Sequence, residues 1–227
     1  MTEKPLPEQI PIFPLTGAIL LPRCHLPLNI FEPRYREMVE FAADNHGIIG
    51  MVQPLRSSIS LSPENNDQFG TASRGRELYS VGCAGILSEV RETVPGQYFI
   101  ILTGIRRFQI RSEIPLRYNF REVLADYEPF RKDGNDILKN ETAAKERFLD
   151  TLKEYLDALN MKINMKIIAN ICDEELVNSI SMILPFEASE KQLILETDSL
   201  DQRAELAIQI MTINKKTFNS GQGPNIH

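Results

Sequence analysis

The chain has 227 residues and a formal net charge of −6, and at this length roughly 70% of the unfolded surface is buried, enough for one large core or two modest ones. The acidic balance argues against a nucleic-acid backbone as the main partner, because nonspecific affinity for phosphates comes mainly from Lys and Arg. Three widely separated cysteines without a Cys-x-x-Cys pair argue against a disulfide framework and against a zinc site.

The first half of the chain carries the patterns of β-strands. Pro27 interrupts the stretch from His25 to Ile30, which suits an edge strand or a bulge better than a central strand. A barrel or half-barrel is the natural closure for these strands, because it hides their edges. We expect six or seven strands in all from this stretch and the other strand-like stretches, which lie at 10–13, 18–21, 48–52, 79–90, 98–102, 105–110 and 119–127.

One helix and one long loop interrupt the predicted strands. The helix begins at Pro33, where a missing N–H does no harm, and ends near His46, with Gly47 closing it in the left-handed conformation. Residues 55–77 are polar with little periodicity and predict a long surface loop. The apolar residues of the helix follow its spacing: Tyr35, Met38, Val39 and Ala42.

The second half of the chain reads as helical. The hydrophobic period changes from two to 3.6 across a charged stretch at residues 129–139. Ser189-x-x-Gln192 and Ser199-x-x-Gln202 have the form of capping boxes and predict two helix starts. We therefore predict an α+β protein made of a β-lobe with one inserted helix at 1–125, a linker at 126–139, an all-helical bundle at 140–215 and a flexible tail at 216–227.

No catalytic, cofactor or metal motif is recognisable. The sequence lacks a P-loop, a Gly-x-Gly-x-x-Gly loop, a Gly-x-Ser-x-Gly elbow and a His-Glu-x-x-His motif. Cys24 and His25 are adjacent, but neighbouring strand residues point to opposite faces, so we expect no nucleophile pair. We expect His46 to serve the helix end as a cation or as a donor to a free carbonyl. A polar amino terminus and the lack of a long apolar run predict a cytoplasmic protein without a membrane partner.

Four short segments near the amino terminus form a pattern together: Ile12-Phe13-Pro14-Leu15, Leu20-Leu21-Pro22, Leu26-Pro27-Leu28 and Phe31-Glu32-Pro33-Arg34-Tyr35-Arg36. This pattern resembles the opening of the amino-terminal domain of the Lon protease family. Later strands at 81–86 and 103–108 and a helical stretch at 190–196 resemble further parts of that domain, so the resemblance covers residues 10–214. Arg23 departs from the pattern, because many members of the family have glycine there.

This resemblance implies a PUA-like β-barrel or half-barrel followed by a helical bundle. It also implies binding of unfolded or degron-bearing polypeptides, with a protease or a chaperone as a further class of partner. Full-length Lon continues into an ATPase and a Ser–Lys peptidase, and the sequence contains neither segment. We therefore expect a free-standing, non-enzymatic binding module that needs no cofactor.

The binding surface is predicted on the β-lobe. Leu26, Leu28 and Ile30 on the predicted edge strand, together with Arg34, are the candidate peptide-binding residues, since an edge strand can pair with an extended chain. Phe31 and Tyr35 are expected to belong to the core, and Glu32 is expected to pair with Arg34. An RNA-binding accessory protein is the alternative, because PUA-like folds are often found with RNA. The acidic charge and the lack of interleaved basic and aromatic residues argue against RNA.

Overall fold

The computed structural model describes residues 5–55, 77–134, 144–161 and 164–219. The chain divides into two compact units, Met1–Gly134 and Asn135–His227. The first unit contains every described strand and one α-helix, and the regular elements of the described part of the second unit are all helices. This division is the α+β organisation that the change of hydrophobic period predicts.

The β unit has six strands and one α-helix among its described residues: β1 (Gln9–Pro14), β2 (His25–Ile30), α1 (Pro33–Asp44), β3 (Ile48–Val52), β4 (Val81–Val94), β5 (Gln97–Glu113) and β6 (Arg121–Asp126). One edge of β5 pairs with two strands, because residues 98–103 pair with β2 and residues 109–113 pair with β6. The sheet order is β2-β5-β4-β3-β1-β6, and the extra β5–β6 pairing closes β1, β3, β4, β5 and β6 into a barrel with β2 attached outside the ring.

The barrel closes around an aliphatic core with one central aromatic ring. Phe108 is fully buried, and a Cβ at Gly50 or at Gly82 would lie 2.8 Å from its ring. These two glycines are therefore needed for a close approach of the β3 and β4 backbones to the ring. The other buried members of the cluster are Ile10, Ile12, Ile48, Val52, Ala84, Val123 and Ala125.

The segment Glu128–Gly134 forms 3-10 turns that pack against β5, although the sequence predicts a linker here. The side chains of Arg107 and Asp133 are 4% and 9% exposed and form an ion pair of 2.8 Å. Asp133 also accepts hydrogen bonds from the backbone N–H and Nε of Arg107. The β unit therefore extends to Gly134 rather than to residue 125, and residues 135–139 of the expected linker lie outside the described residues.

The second unit has five helices among its described residues: α2 (Lys145–Ala158), α3 (Met165–Ile168), α4 (Asp173–Ile183), α5 (Ala188–Glu196) and α6 (Leu200–Asn219). Ser199 caps α6 as predicted, because its Oγ accepts the Gln202 N–H at 3.2 Å. The predicted cap at Ser189 is wrong, since Glu187 is the N-cap of α5 and forms the capping box with Glu190.

The last helix is longer than the sequence predicts. α6 continues to Asn219, so residues 216–219 of the expected tail are helical, and residues 220–227 lie outside the description. Within the described ranges, no helix is long and apolar enough to cross a membrane. Arg203 fastens α6 to its neighbours, since its guanidinium donates to Asn178 Oδ1 at 2.6 Å and to the Thr197 carbonyl at 3.2 Å.

Candidate functional site

The junction between β2 and α1 is held by a short chain of contacts. Glu32 is the extended N-cap residue of α1, and Pro33 occupies the first turn. Arg34 Nη2 lies 2.7 Å from Glu32 Oε2, and its guanidinium sits 4.4 Å above the ring of Tyr35. The Tyr35 ring lies 4.3 Å from that of Phe13 and is 6% exposed, which confirms the predicted burial of Tyr35.

A cavity of about 310 Å³ opens beside this junction. Its volume lies at the lower end of the roughly 300–1,000 Å³ range of ligand pockets. Phe31 borders the cavity and is 63% exposed, so the expectation that it belongs to the core is wrong. A large exposed aromatic side chain next to an apolar cavity is typical of a binding surface. The lining residues are Phe13–Thr16, Leu28–Glu32, Arg34, Tyr35 and Pro54.

The structure brings three of the four predicted contact residues to this cavity. Leu28, Ile30 and Arg34 line it, whereas Leu26 does not. Leu28 is half-buried and Ile30 is 2% exposed, so Ile30 supports the cavity from within the core. Arg34 is engaged with Glu32 through its Nε as well as through Nη2, and we therefore expect it to shape the rim.

The edge of β2 that faces away from β5 carries no strand among the described residues. β2 lies at the end of the sheet order and pairs only with β5. Its exposed residues alternate with inward ones: His25, Pro27 and Asn29 are exposed, and Leu26, Leu28 and Ile30 are partly or fully buried. The edge strand predicted from Pro27 is therefore present, and it borders the cavity.

The ends of the polar loop meet at a second opening. Leu55 N–H donates to the Glu77 carbonyl at 2.8 Å, and Tyr79 N–H donates to the Gln53 carbonyl at 2.9 Å. An open cavity of about 310 Å³ is lined in part by Leu55, Glu77 and Tyr79. Residues 56–76 of the predicted loop lie outside the described residues, so the cavity at Phe31 is the more completely defined of the two.

The titratable groups near these elements have structural partners. Cys24 is 4% exposed, whereas His25 is exposed and its Nδ1 lies 2.9 Å from Thr103 Oγ1. Burial lowers the pKa of His46, which opposes the expected role as a cation, whereas its hydrogen bond to the backbone of Gln9 agrees with the alternative role as a donor to a carbonyl; its Nδ1 accepts the Ile48 N–H at 3.2 Å. A hydrogen bond to Glu40 raises the pKa of Tyr98.

Comparison with known proteins identifies the family. The family model described as the ATP-dependent protease La (LON) substrate-binding domain matches residues 9–212. A "Lon protease 2" of Sorangium cellulosum is 30% identical over 109 residues, which is 48% of this chain and 12% of the relative. A "Lon protease" of Flavobacterium johnsoniae is 23% identical over 220 residues, covering 94% of this chain and 25% of the relative. The chain thus spans a quarter or less of the length of these two curated relatives.

Solved structures show the same fold. The N-terminal domain of the Mycobacterium avium complex Lon protease aligns with a TM-score of 0.62 at 15% identity, covering 90% of this chain and 98% of that one. A Lon N-terminal domain protein from Xanthomonas campestris aligns with a TM-score of 0.60 at 15% identity, covering 88% and 97% of the two chains.

The chain belongs to the Lon substrate-binding domain family, as the resemblance predicts. The family model describes the matched region as a substrate-binding domain, which supports a role in binding substrate. These matches give no support to the RNA-binding alternative.

Proposed function

We propose that the chain binds apolar segments of unfolded or degron-bearing polypeptides at the cavity beside Phe31. The observation that carries this proposal is an aromatic side chain, 63% exposed, on the rim of a cavity in a substrate-binding domain. Unfolded chains expose the aliphatic and aromatic side chains that such a site accepts, and folded proteins mostly bury them. The site therefore distinguishes folded from unfolded substrates by the exposure of their core residues.

The affinity of this site is expected to be weak. A disordered segment loses conformational freedom when it binds, and that loss offsets much of the contact energy. We expect dissociation constants on the order of micromolar to millimolar for single peptides. Weak binding suits a recruiting module, because the polypeptide must be released to the next component. We propose that this component is a protease or a chaperone and that the encounter takes place in the cytoplasm.

Phe31→Ala tests the site directly. A central aromatic contact contributes roughly 2 kcal/mol or more to binding, so the dissociation constant should rise about thirtyfold. Since the side chain is mostly exposed, the thermal midpoint should stay nearly unchanged. Fluorescence anisotropy of a labelled, apolar-rich unfolded peptide measures the affinity.

Ile183→Ala is the matched control, because Ile183 is also a large exposed side chain, at 70%, but lies in the helical unit. It should leave the affinity unchanged. Equal affinity for Phe31→Ala and the parent, or a loss confined to Ile183→Ala, would contradict the proposed site.

A further inference from the structure

The geometry of β2 points to a specific mode of binding, which rests on the proposed function. We propose that an extended segment of the bound polypeptide pairs, as an added strand, with the edge of β2 that faces away from β5. No strand of the described part of the chain pairs with this edge, which is called the free edge below. Pro27 restricts this pairing, because it leaves one donor missing in the middle of the edge.

The pairing of β2 with β5 determines which backbone N–H and carbonyl groups of β2 point toward β5 and which point to the free edge. In an antiparallel pair, the backbone groups of successive residues point alternately toward the partner strand and away from it. Gly104 N–H donates to the Cys24 carbonyl at 2.9 Å, and the Gly104 carbonyl accepts the Arg23 N–H at 2.8 Å, so both backbone groups of Gly104 in β5 point toward the chain that leads into β2. With the register Pro27↔Ile101, the groups of Leu26 and Leu28 therefore point toward β5, and those of Pro27 point to the free edge.

The free edge therefore offers a defined set of groups. His25, Pro27 and Asn29 present three carbonyls, and His25 and Asn29 present two N–H groups. An added strand donates three N–H groups and accepts two hydrogen bonds. Its carbonyl opposite Pro27 finds no donor on β2 and stays solvated.

The side chains of the added strand are sorted by the same alternation. Residues directly opposite each other on paired strands carry their side chains on the same face of the sheet. In an antiparallel added strand, directly opposite residues exchange their hydrogen bonds, so peptide residues that bond to His25, Pro27 and Asn29 carry their side chains on the exposed face. The intervening residues carry theirs on the face of Leu28 and Ile30, both of which line the cavity.

The charge of the site indicates the chemistry of these intervening residues. Among the described residues that line the cavity, Glu32 and Arg34 carry ionised side chains, and they neutralise each other at 2.7 Å. A charged peptide residue would lose its hydration in the cavity without gaining an opposite charge. The occupant is therefore an extended polypeptide segment with uncharged apolar residues at alternate positions.

Two scans of one peptide test this mode of binding. The parent is an apolar-rich peptide of about ten residues that binds in the anisotropy assay, and each backbone nitrogen is methylated in turn. Methylation removes a donor, so three alternate positions should each weaken binding roughly threefold to tenfold, and the positions between them should be tolerated. In the second scan, each apolar residue is replaced by aspartate. Binding should weaken most at the intervening positions, which are the positions that tolerate methylation.

The outcomes separate the two proposals. A parent peptide that binds with no two-residue period in the methylation scan would overturn strand addition while leaving the proposed function in place. A peptide that fails to bind at millimolar concentration would overturn both.

A variant of the protein provides a second test. Pro27→Val restores the missing N–H on the edge, so it should tighten binding roughly twofold to tenfold, whereas Pro185→Val in the helical unit should have no effect. Unchanged or weaker binding by a normally folded Pro27→Val protein would overturn the proposal. Sedimentation of the parent protein tests whether a second copy of the chain occupies the edge. A dimer that dissociates when peptide is added would assign the edge to that second copy.

Discussion

Replacing Asp133 with alanine tests whether the segment Glu128–Gly134 is part of the β unit. Asp133 accepts hydrogen bonds from the backbone N–H, Nε and Nη2 of Arg107 at 3.0, 2.8 and 2.8 Å. The Arg107 side chain is 4% exposed and its guanidinium lies 4.5 Å from the ring centre of Phe130. The substitution removes the Asp133 carboxylate from this buried guanidinium. Breaking a buried ion pair by removing one partner lowers the free energy of unfolding by about 3–5 kcal/mol.

Amide hydrogen exchange on β5 is the suitable assay, because it reports the opening of the β unit without requiring the whole chain to unfold in one step. Glu113→Ala is the control. Glu113 pairs with Arg121 but is 47% exposed, so its loss should cost at most about 1 kcal/mol.

A segment that is packed against β5 and a flexible linker predict different effects of Asp133→Ala on stability. If it behaves as a flexible linker, Asp133→Ala should change stability by less than about 0.5 kcal/mol, as most surface substitutions do. A change that small, equal to that of Glu113→Ala, would refute the reasoning from the buried pair.

Three further predictions concern the first unit. Tyr35→Ala should lower the free energy of unfolding in urea by roughly 3 kcal/mol, because its buried ring packs on Phe13; normal melting with lost peptide binding would instead make Tyr35 a contact residue. Arg23 has a φ of 66°, so Arg23→Gly should be more stable than Arg23→Ala by about 1 kcal/mol, and the reverse order would contradict strain at this position. Burial lowers the pKa of His46 below its ordinary value of 6.5, so stability is fully present above pH 6.5 and is lost as the pH falls toward the folded pKa. His46→Gln should reduce that loss between pH 7.5 and 5 in urea titrations, and an identical pH profile would exclude His46 as its source.

The sequence predicts the strand–helix pattern well because the pattern depends on local spacing. Gly47, for example, has a φ of 69° and its N–H donates to the Ala42 carbonyl at 2.7 Å, as a left-handed helix end requires. Pro27 likewise identifies the edge strand, since a missing N–H is tolerated only where no ladder partner needs it.

The remaining features depend on partners that are distant in the sequence. In the sequence, Asp133 is one charged residue in a polar stretch. Its role depends on the fold, because β5 places Arg107, which is 26 positions away in the chain, next to it. Phe31 reads as a core residue because apolar character alone does not show which way a side chain points where a strand turns into a helix. The cavity beside it also needs Phe13 and Pro54, which the sheet brings together. The sequence predicts Ser189 as the N-cap of α5, because serine is a preferred N-cap residue. In the structure, Glu187 is the N-cap and forms the capping box with Glu190.

The pairing of β1 with β6 has a consequence for synthesis of the protein on the ribosome. Gln9 Nε2 donates to Glu122 Oε1 at 2.9 Å, and these residues are 113 positions apart in the chain. At a synthesis rate of roughly 5–20 residues per second, β1 emerges about 5–20 s before the strand that completes its pairing. Ile10 and Ile12 of β1, both fully buried in the finished barrel, are exposed during this interval. A domain that we propose binds exposed apolar segments therefore passes through a nascent state in which it presents such a segment of its own, and its yield in cells should depend on chaperones that act on nascent chains.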